Sequence, residues 1–550
     1  MTRLVSLLMA LGVVLISALA GASPASAASS HALIQGSGSS WAANAINQWV
    51  ADVANNGMQV VFTANGAAQG RKDFANRSSD FGVSDIGYQG TDPATGQSDT
   101  AQGRSFAYLP IASGGTAFPY HVEVGGQLVR NLRLSGQTVA KIFTGQITNW
   151  SDPAITKDNN GNALPSIPII PVVHSEGAGV TYEFTRYLAK EYPSIWGPCN
   201  GGRAEATEYF PLNCGKSTGN MKAQSGSDGV MNLIKSAGAN GSIGIEEYSY
   251  PLLSNYPSAK LLNKAGYYTL PTQYNVAVAL TKAVINYDKG SPDYLLQNLD
   301  NVYTNPDKRT YPLSSYVYAI IPTASNDSRM TTAKRQTVAD FLYYSICQGQ
   351  SEIGPIGYSS LPVNLVQAGF LQIDKLKAAD KGVDLTSRDV STCHNPTFIA
   401  GHPDQNYLAK IAPSPPSCDR VGAGPCAAGV GAYNGSNPSD EANSHVSGNT
   451  ATGDSQGGGV DTSDLGAGGG GSGGGSNPGA PGTTDVGADL GLTGATTGST
   501  TTGTGTAVAT TLAADQSSGP SGLLTTLVVV LFAAAVAVPA AAARFFRSRR

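Results

Sequence analysis

Three stretches of this chain put small residues and one carboxylate where an anion could be handled: Ile34–Trp41 (IQGSGSSW), Thr63–Phe74 (TANGAAQGRKDF) and Ser78–Tyr88 (SSDFGVSDIGY). In the first, an apolar β-rich start enters a Gly/Ser loop, and the loop enters a helical pattern at Ala42–Val53. The second repeats the plan, with a strand at Gln59–Thr63, a small-residue turn and a helix. Such strand–loop–helix units aim backbone N–H groups and the positive end of a helix at one spot, where an anion is held without a cationic side chain. Asp85 closes a third strand-end turn. A carboxylate suits an anion site if it reads a proton on the ligand; otherwise it reads as a helix N-cap. Taken alone, the Gly/Ser turn is most often only a tight turn. No HExxH or P-loop occurs and the histidines are scattered, so the chain reads as a binder rather than an enzyme, with no cofactor.

The positioning elements alternate. Strands are expected at Leu33–Gln35, Gln59–Thr63, Phe106–Ile111, Phe118–Val124, Ile169–Val173, Ile243–Glu246, Val276–Ala279 and Tyr316–Pro322. Helices are expected at Ala42–Asn55, Gly136–Thr144, Val180–Lys190, Asp228–Ser236 and Thr331–Gln348. This alternation predicts α/β architecture with mostly parallel sheets.

With those residues in view, the chain resembles the phosphate-binding proteins of the periplasmic substrate-binding class that feed ABC importers. The resemblance rests on Gly36-Ser37-Gly38-Ser39-Ser40-Trp41 and on Asp80-Phe81-Gly82-Val83-Ser84-Asp85. It continues through Leu134–Ile155, Tyr182–Lys190, Gly226–Ile234 and Gly241–Tyr250, and ends near Tyr358–Pro362, spanning roughly Leu33 to Lys377. It implies a two-lobed periplasmic-binding-protein type II fold, with two crossing strands and the ligand between the lobes. On that template the first lobe is about 33–112 plus 276–380 and the second about 113–275. Residues 381–437 form an added cap or stalk.

The resemblance also assigns a site, and there the sequence departs from the family pattern. The second-lobe loop should carry an arginine, yet PVVHSEGAGVTYEF (Pro171–Phe184) puts His174 in its place and Glu176 at its acidic partner. The loop's serine and threonine fall on Ala178 and Val180, Gly179 is retained, and the first-lobe serine falls on Ala67. A loop offset by one residue would instead let Ser175 and Thr181 supply hydroxyls. A charge-assisted hydrogen bond contributes about 1.5–3 kcal/mol and a neutral one about 1 kcal/mol, so losing these donors should weaken the site considerably. The expected ligand is phosphate or a similar oxyanion. It is held by the N–H groups of Ser40, Trp41, Ala67, Gly179 and Val180 and the Ser40 hydroxyl, with Asp85 accepting its proton. His174 is expected to be the remaining cation unless Arg71 or Lys72 reaches in, so binding should strengthen from about pH 8 to 6, around the ordinary histidine pKa. A lone histidine is more often a structural residue, and a surface sensor or interaction protein that keeps the fold without transport is the alternative function.

Composition divides the rest. At 550 residues the chain exceeds one domain. Residues 1–27 read as a signal peptide: Arg3, an apolar run Leu4–Ala20, and Ala25-Ser26-Ala27 as cleavage site. The globular module is 28–437. Residues 438–521 are Gly, Ser, Thr, Asp and Ala with almost no large apolar side chain, expected to be a disordered linker. Gly522–Ala543 is an apolar run of 22 residues, about 33 Å as a helix, which suits a transmembrane span. The basic tail 544–550 follows, cytoplasmic by the positive-inside rule. A cell-wall sorting signal would share this layout, but no LPxTG-type pentapeptide precedes the run. The expected localisation is the cell membrane, single-pass, with the N-terminal module extracellular and an ABC permease as a candidate partner. A net charge of −4 argues against nucleic acid. Six cysteines in an exported chain suggest disulfides, and nearest-neighbour pairing gives Cys199–Cys214, Cys347–Cys393 and Cys418–Cys426. Zinc is the alternative, disfavoured by the absence of CxxC.

Overall fold

The computed structural model describes residues 31–426 apart from 93–94, 215–219 and 404. The signal 1–27, linker 438–521, apolar run 522–543 and tail 544–550 lie outside the described residues. Among those described, no helix is long and apolar enough to cross a membrane.

The first Gly/Ser loop is held between β1 (Ile34–Gly38) and α1 (Ala43–Ala54), which buries Ala43, Ala45, Ile46, Trp49 and Val53 along one face. β2 (Val60–Thr63), α2 (Ala67–Ala75), β3 (Phe81–Ser84) and the long β4 (Phe106–Ala117) follow. Next come β5 (Tyr120–His121), α3 (Gly136–Phe143), β6 (Ile170–His174), α4 (Gly179–Glu191), β7 (Lys222–Gln224), α5 (Gly226–Lys235), β8 (Ser242–Gly244) and β9 (Glu246–Glu247). The later long elements are α6 (Gln273–Leu280), β10 (Ser314–Pro322), α7 (Thr332–Ile346) and α8 (Val363–Ala379).

Two sheets organise these elements. The first has the order β9-β4-β10-β3-β1-β2, and the second β7-β6-β8-β5. β1 is parallel to β2 and β3, and β6 to β7 and β8, so each sheet presents strand ends followed by helix starts on one side. β10 runs antiparallel to both neighbours, so the first sheet is more mixed than expected. Both β4 and β10 are almost wholly buried. They read as continuous apolar runs, which carry no signal of direction. The chain passes from the first sheet to the second between β4 and β5, and returns between β8 and β9.

One expected strand is a helix. Residues 276–279 lie in α6, whose start is capped by the Thr272 side chain accepting from the Asn275 N–H. Seven of the eight α6 residues, all but Asn275, are buried, so no polar face interrupts the run, and a short apolar β-branched run cannot be told from a strand by periodicity.

All six cysteines are paired as nearest neighbours: Cys199–Cys214, Cys347–Cys393 and Cys418–Cys426. The segment after residue 380 is a strap. Cys393 fastens it to the end of α7, Asn395 and Thr397 donate to the Leu361 carbonyl, and Asp419 pairs with Lys260 at 2.6 Å.

Candidate functional site

The site forms where the Gly/Ser loop after β1, the start of α2, the end of β3 and the start of α4 converge. Tyr250 and Tyr358 hold the loop by donating to the carbonyls of Ser40 and Trp41, each at 2.6 Å. Gly66, at φ 98°, turns the chain into α2, and a Cβ there would lie 2.8 Å from Glu176 Cγ. The second N–H of α2, from Ala68, reaches the Gly177 carbonyl of the other half at 3.1 Å. α4 starts after Ala178 with no side-chain cap. Among the described residues, the N–H groups of Ser40, Trp41, Ala67, Gly179 and Val180 have no acceptor. These donors, with the positive ends of two helices, constitute an anion-compatible surface.

Asp85 lies among them, 2% exposed, and accepts a 2.7 Å hydrogen bond from the Ser39 hydroxyl. A Cβ on Gly179 would stand 1.8 Å from Asp85 Oδ2, so α4 approaches this carboxylate through a glycine because nothing larger fits. Burial pushes the Asp85 carboxyl up to about 6, against the pull of the Ser39 hydroxyl. Asp85 is therefore a carboxylate across the site rather than a helix N-cap.

His174 is brought to the site but does not stand free. Its Nδ1 is 2.8 Å from Glu176 Oε1 and its Nε2 is 3.3 Å from Glu246 Oε1, with the side chain fully buried. Burial alone would lower its pKa, but the two carboxylates outweigh that and raise it to about 10. The expectation that His174 titrates between pH 8 and 6 is thus corrected: it stays charged through that window, and its charge is already committed. Glu176 also accepts the Gly226 N–H at the start of α5. The Ser40 hydroxyl, expected to face the ligand, lies 3.0 Å from the Ser227 hydroxyl of α5.

The two cations weighed as reaching in do other work. Arg71, fully buried, donates to Asp99, to the Ser84 hydroxyl at 3.0 Å and to Glu208 at 2.7 Å, joining the first half to the second. Lys72 meets Gln97 at the surface. One turn beyond Gly179, buried Glu183 accepts from Gln297 Nε2 at 3.2 Å. Burial pushes Glu183 and Glu208 each up to about 7. Ser39, Ser227 and Glu246 lay inside stretches already marked by the resemblance, but nothing in their spacing assigned them. Arg71 and Glu183 also lay inside marked stretches, Arg71 weighed as a cation for the ligand, while Glu208 lay in none; nothing local joined any of the three to its partner. Among the described residues, no group of three or more His, Cys, Asp or Glu side chains could hold a metal ion.

Residues 25–348 match the family model described as the PBP superfamily domain. Phosphate-binding protein PstS 3 of Mycobacterium tuberculosis is 30% identical over 332 residues, covering 60% of this chain and 82% of that protein. The chain belongs to the periplasmic-binding-protein superfamily as a PstS-like protein. Phosphate-binding protein PstS of Methanocaldococcus jannaschii is 28% identical over 362 residues, covering 63% of this chain and 86% of that protein. A solved phosphate binding protein from Stenotrophomonas maltophilia has 16% identity and a TM-score of 0.45, covering 64% of this chain and 99% of that one. The family match ends at residue 348, ahead of both α8 and the strap.

Proposed function

We propose that this PstS-like chain is an exported solute-binding protein that captures phosphate or a related oxyanion between its two halves. The observation that carries the reading is the convergence of unpartnered N–H groups from the Ser40–Trp41 loop, α2 and α4 beside Asp85. Backbone donors dominate this site, because His174 is held by Glu176 and Glu246 and Arg71 by Asp99 and Glu208. Binding should therefore be weaker than in a site with a free arginine, by the several kcal/mol that the missing charge-assisted donors represent. The acidic neighbours favour a ligand that carries a proton for Asp85, so sulfate should be refused. The phosphate-binding relatives support transport as the context, with an ABC permease as partner and the apolar run 522–543 as anchor. Calorimetric titration of the purified chain with phosphate and with sulfate tests the reading. Phosphate binding without sulfate binding is expected, and heat from neither ion between pH 5.5 and 8 would overturn it.

A further inference from the structure

Two buried carboxylates bear on how the site is regulated. Glu183 is 4% exposed and Glu208 is 1% exposed. Each has one oxygen with donors and one, Oε2, that is sealed and has no hydrogen-bond partner. An ionised carboxylate accepts at both oxygens, and burying it with one side unpaired is costly, so the group takes a proton instead. The surrounding charges do not compensate. Glu208 faces Arg71 of α2 and Gln89, but Arg71 is shared with Asp99, and Asp92 adds a further negative charge. Glu183 faces Asp85 at the end of β3, the Gln297 amide and the hydroxyl-bearing Tyr303 and Tyr318; its cation, Arg186 on the same helix, is also drawn to Asp300 at 3.5 Å.

Both groups belong to the half that carries the second sheet, and the residues covering them belong to the other. Gln297 reaches Glu183 while its side-chain oxygen holds the Tyr316 N–H of β10, and Arg71 reaches Glu208 from α2. Parting the halves would expose both carboxylates to water. We propose that closure of the cleft takes up protons on Glu183 and Glu208, making oxyanion capture a proton-linked event favoured in acid. This rests on the oxyanion reading above and adds its regulation. The sign follows from the closed form holding each proton more tightly than the open one: closure is favoured below the closed-state pKa of about 7 and weakens as pH rises through it. Between pH 6 and 8, each group should reduce affinity about tenfold, or about a hundredfold together.

The test is calorimetric titration of the purified full chain with phosphate at pH 6, repeated in buffers of different ionisation enthalpy, which counts the protons taken up. Any contribution from phosphate itself is common to all variants. Glu183→Gln and Glu208→Gln should each lower the count by close to one and flatten the dependence of affinity on pH. Phosphate binding with the same proton count in wild type and both variants would overturn the inference and leave the oxyanion reading standing. Infrared spectroscopy reads the carboxyls directly: adding phosphate at pH 6 should raise a neutral-carboxyl band in the wild-type chain, and Glu183→Gln and Glu208→Gln should each weaken that rise. Phosphate binding with no rise in the band, or with a rise that neither variant weakens, overturns the inference.

Discussion

Gly179→Ala adds one methyl group at the point where α4 meets Asp85. The new Cβ would stand 1.8 Å from Asp85 Oδ2 and 2.2 Å from its Cγ, whereas an ordinary contact begins at 3.4 Å. The buried carboxylate is held by Ser39 and cannot swing away freely, so α4 must retreat by about 1.6 Å, the difference between those two distances. Ala178, which precedes α4, donates to the Glu208 carbonyl at 3.0 Å, so a retreat of that size draws Glu208 off Arg71, carries their 2.7 Å contact beyond hydrogen-bond range and strains the Ala68–Gly177 bond. One charge-assisted and one neutral bond together represent about 2.5–4 kcal/mol, or two to three powers of ten in affinity. The open form should not suffer, because Gly179 is the first residue of α4 and its clash with Asp85 is relieved once the halves part. The expected result is phosphate affinity reduced about a hundredfold or more, with unchanged or higher thermal stability without ligand and faster amide exchange at Ala68. A folded Gly179→Ala protein that binds phosphate like wild type would show that the halves need not meet at Asp85.

Two further outcomes follow from the His174 cluster and the chain termini. Removing the imidazolium leaves Glu176 and Glu246 facing each other uncompensated, so His174→Gln should destabilise the fold by about 3–5 kcal/mol at pH 6. His174 is raised from 6.5 to about 10, so its stabilisation is complete below pH 6.5 and lost as pH rises through 10. The wild-type advantage in melting temperature should therefore shrink on the alkaline side, and an advantage that instead grew there would contradict the charged imidazole. Protease shaving of intact cells should release nearly the whole globular module, as the Gly/Ser-rich stretch 438–521 is the expected cut region before the apolar run. Recovery of the protein covalently joined to wall peptides would replace the anchor by a sorting signal.

The frame was legible because its signals are local. IQGSGSSW, with apolar residues before the small ones, marks a strand running into a helix start, and the structure forms both around that loop. α6 was misread because Tyr274–Leu280 shows no polar face, its burial being complete but for Asn275. The site divides in the same way. Asp85 and Gly179 each lie in a short motif that shapes its own turn, and the fold brings the two together. What surrounds them was hidden because the relevant pairs are distant along the chain, as Arg71 is from Glu208 and Glu183 from Gln297.

His174 shows most clearly where reading by position fails. Its place in the loop suggested a cation waiting for an anionic ligand. That inference requires an open charge, and the charge is balanced by Glu176, two residues away, and by Glu246 from a different sheet. Glu176 was visible in the sequence as the family's acidic partner, but Glu246 was not, because its reach to His174 depends on the chain's return between β8 and β9. The consequence for function is specific. With the imidazolium fixed in charge, proton-dependent behaviour near neutrality falls to the carboxyls raised by burial, Asp85 to about 6 and Glu183 and Glu208 to about 7. A histidine sensor and a carboxyl sensor both favour anion capture in acid, but they differ in chemistry: the first adds a positive charge beside the ligand, while the second removes negative charge from the walls around it. His174→Gln should accordingly leave the slope of phosphate affinity against pH in place, whereas Glu183→Gln and Glu208→Gln together should flatten it.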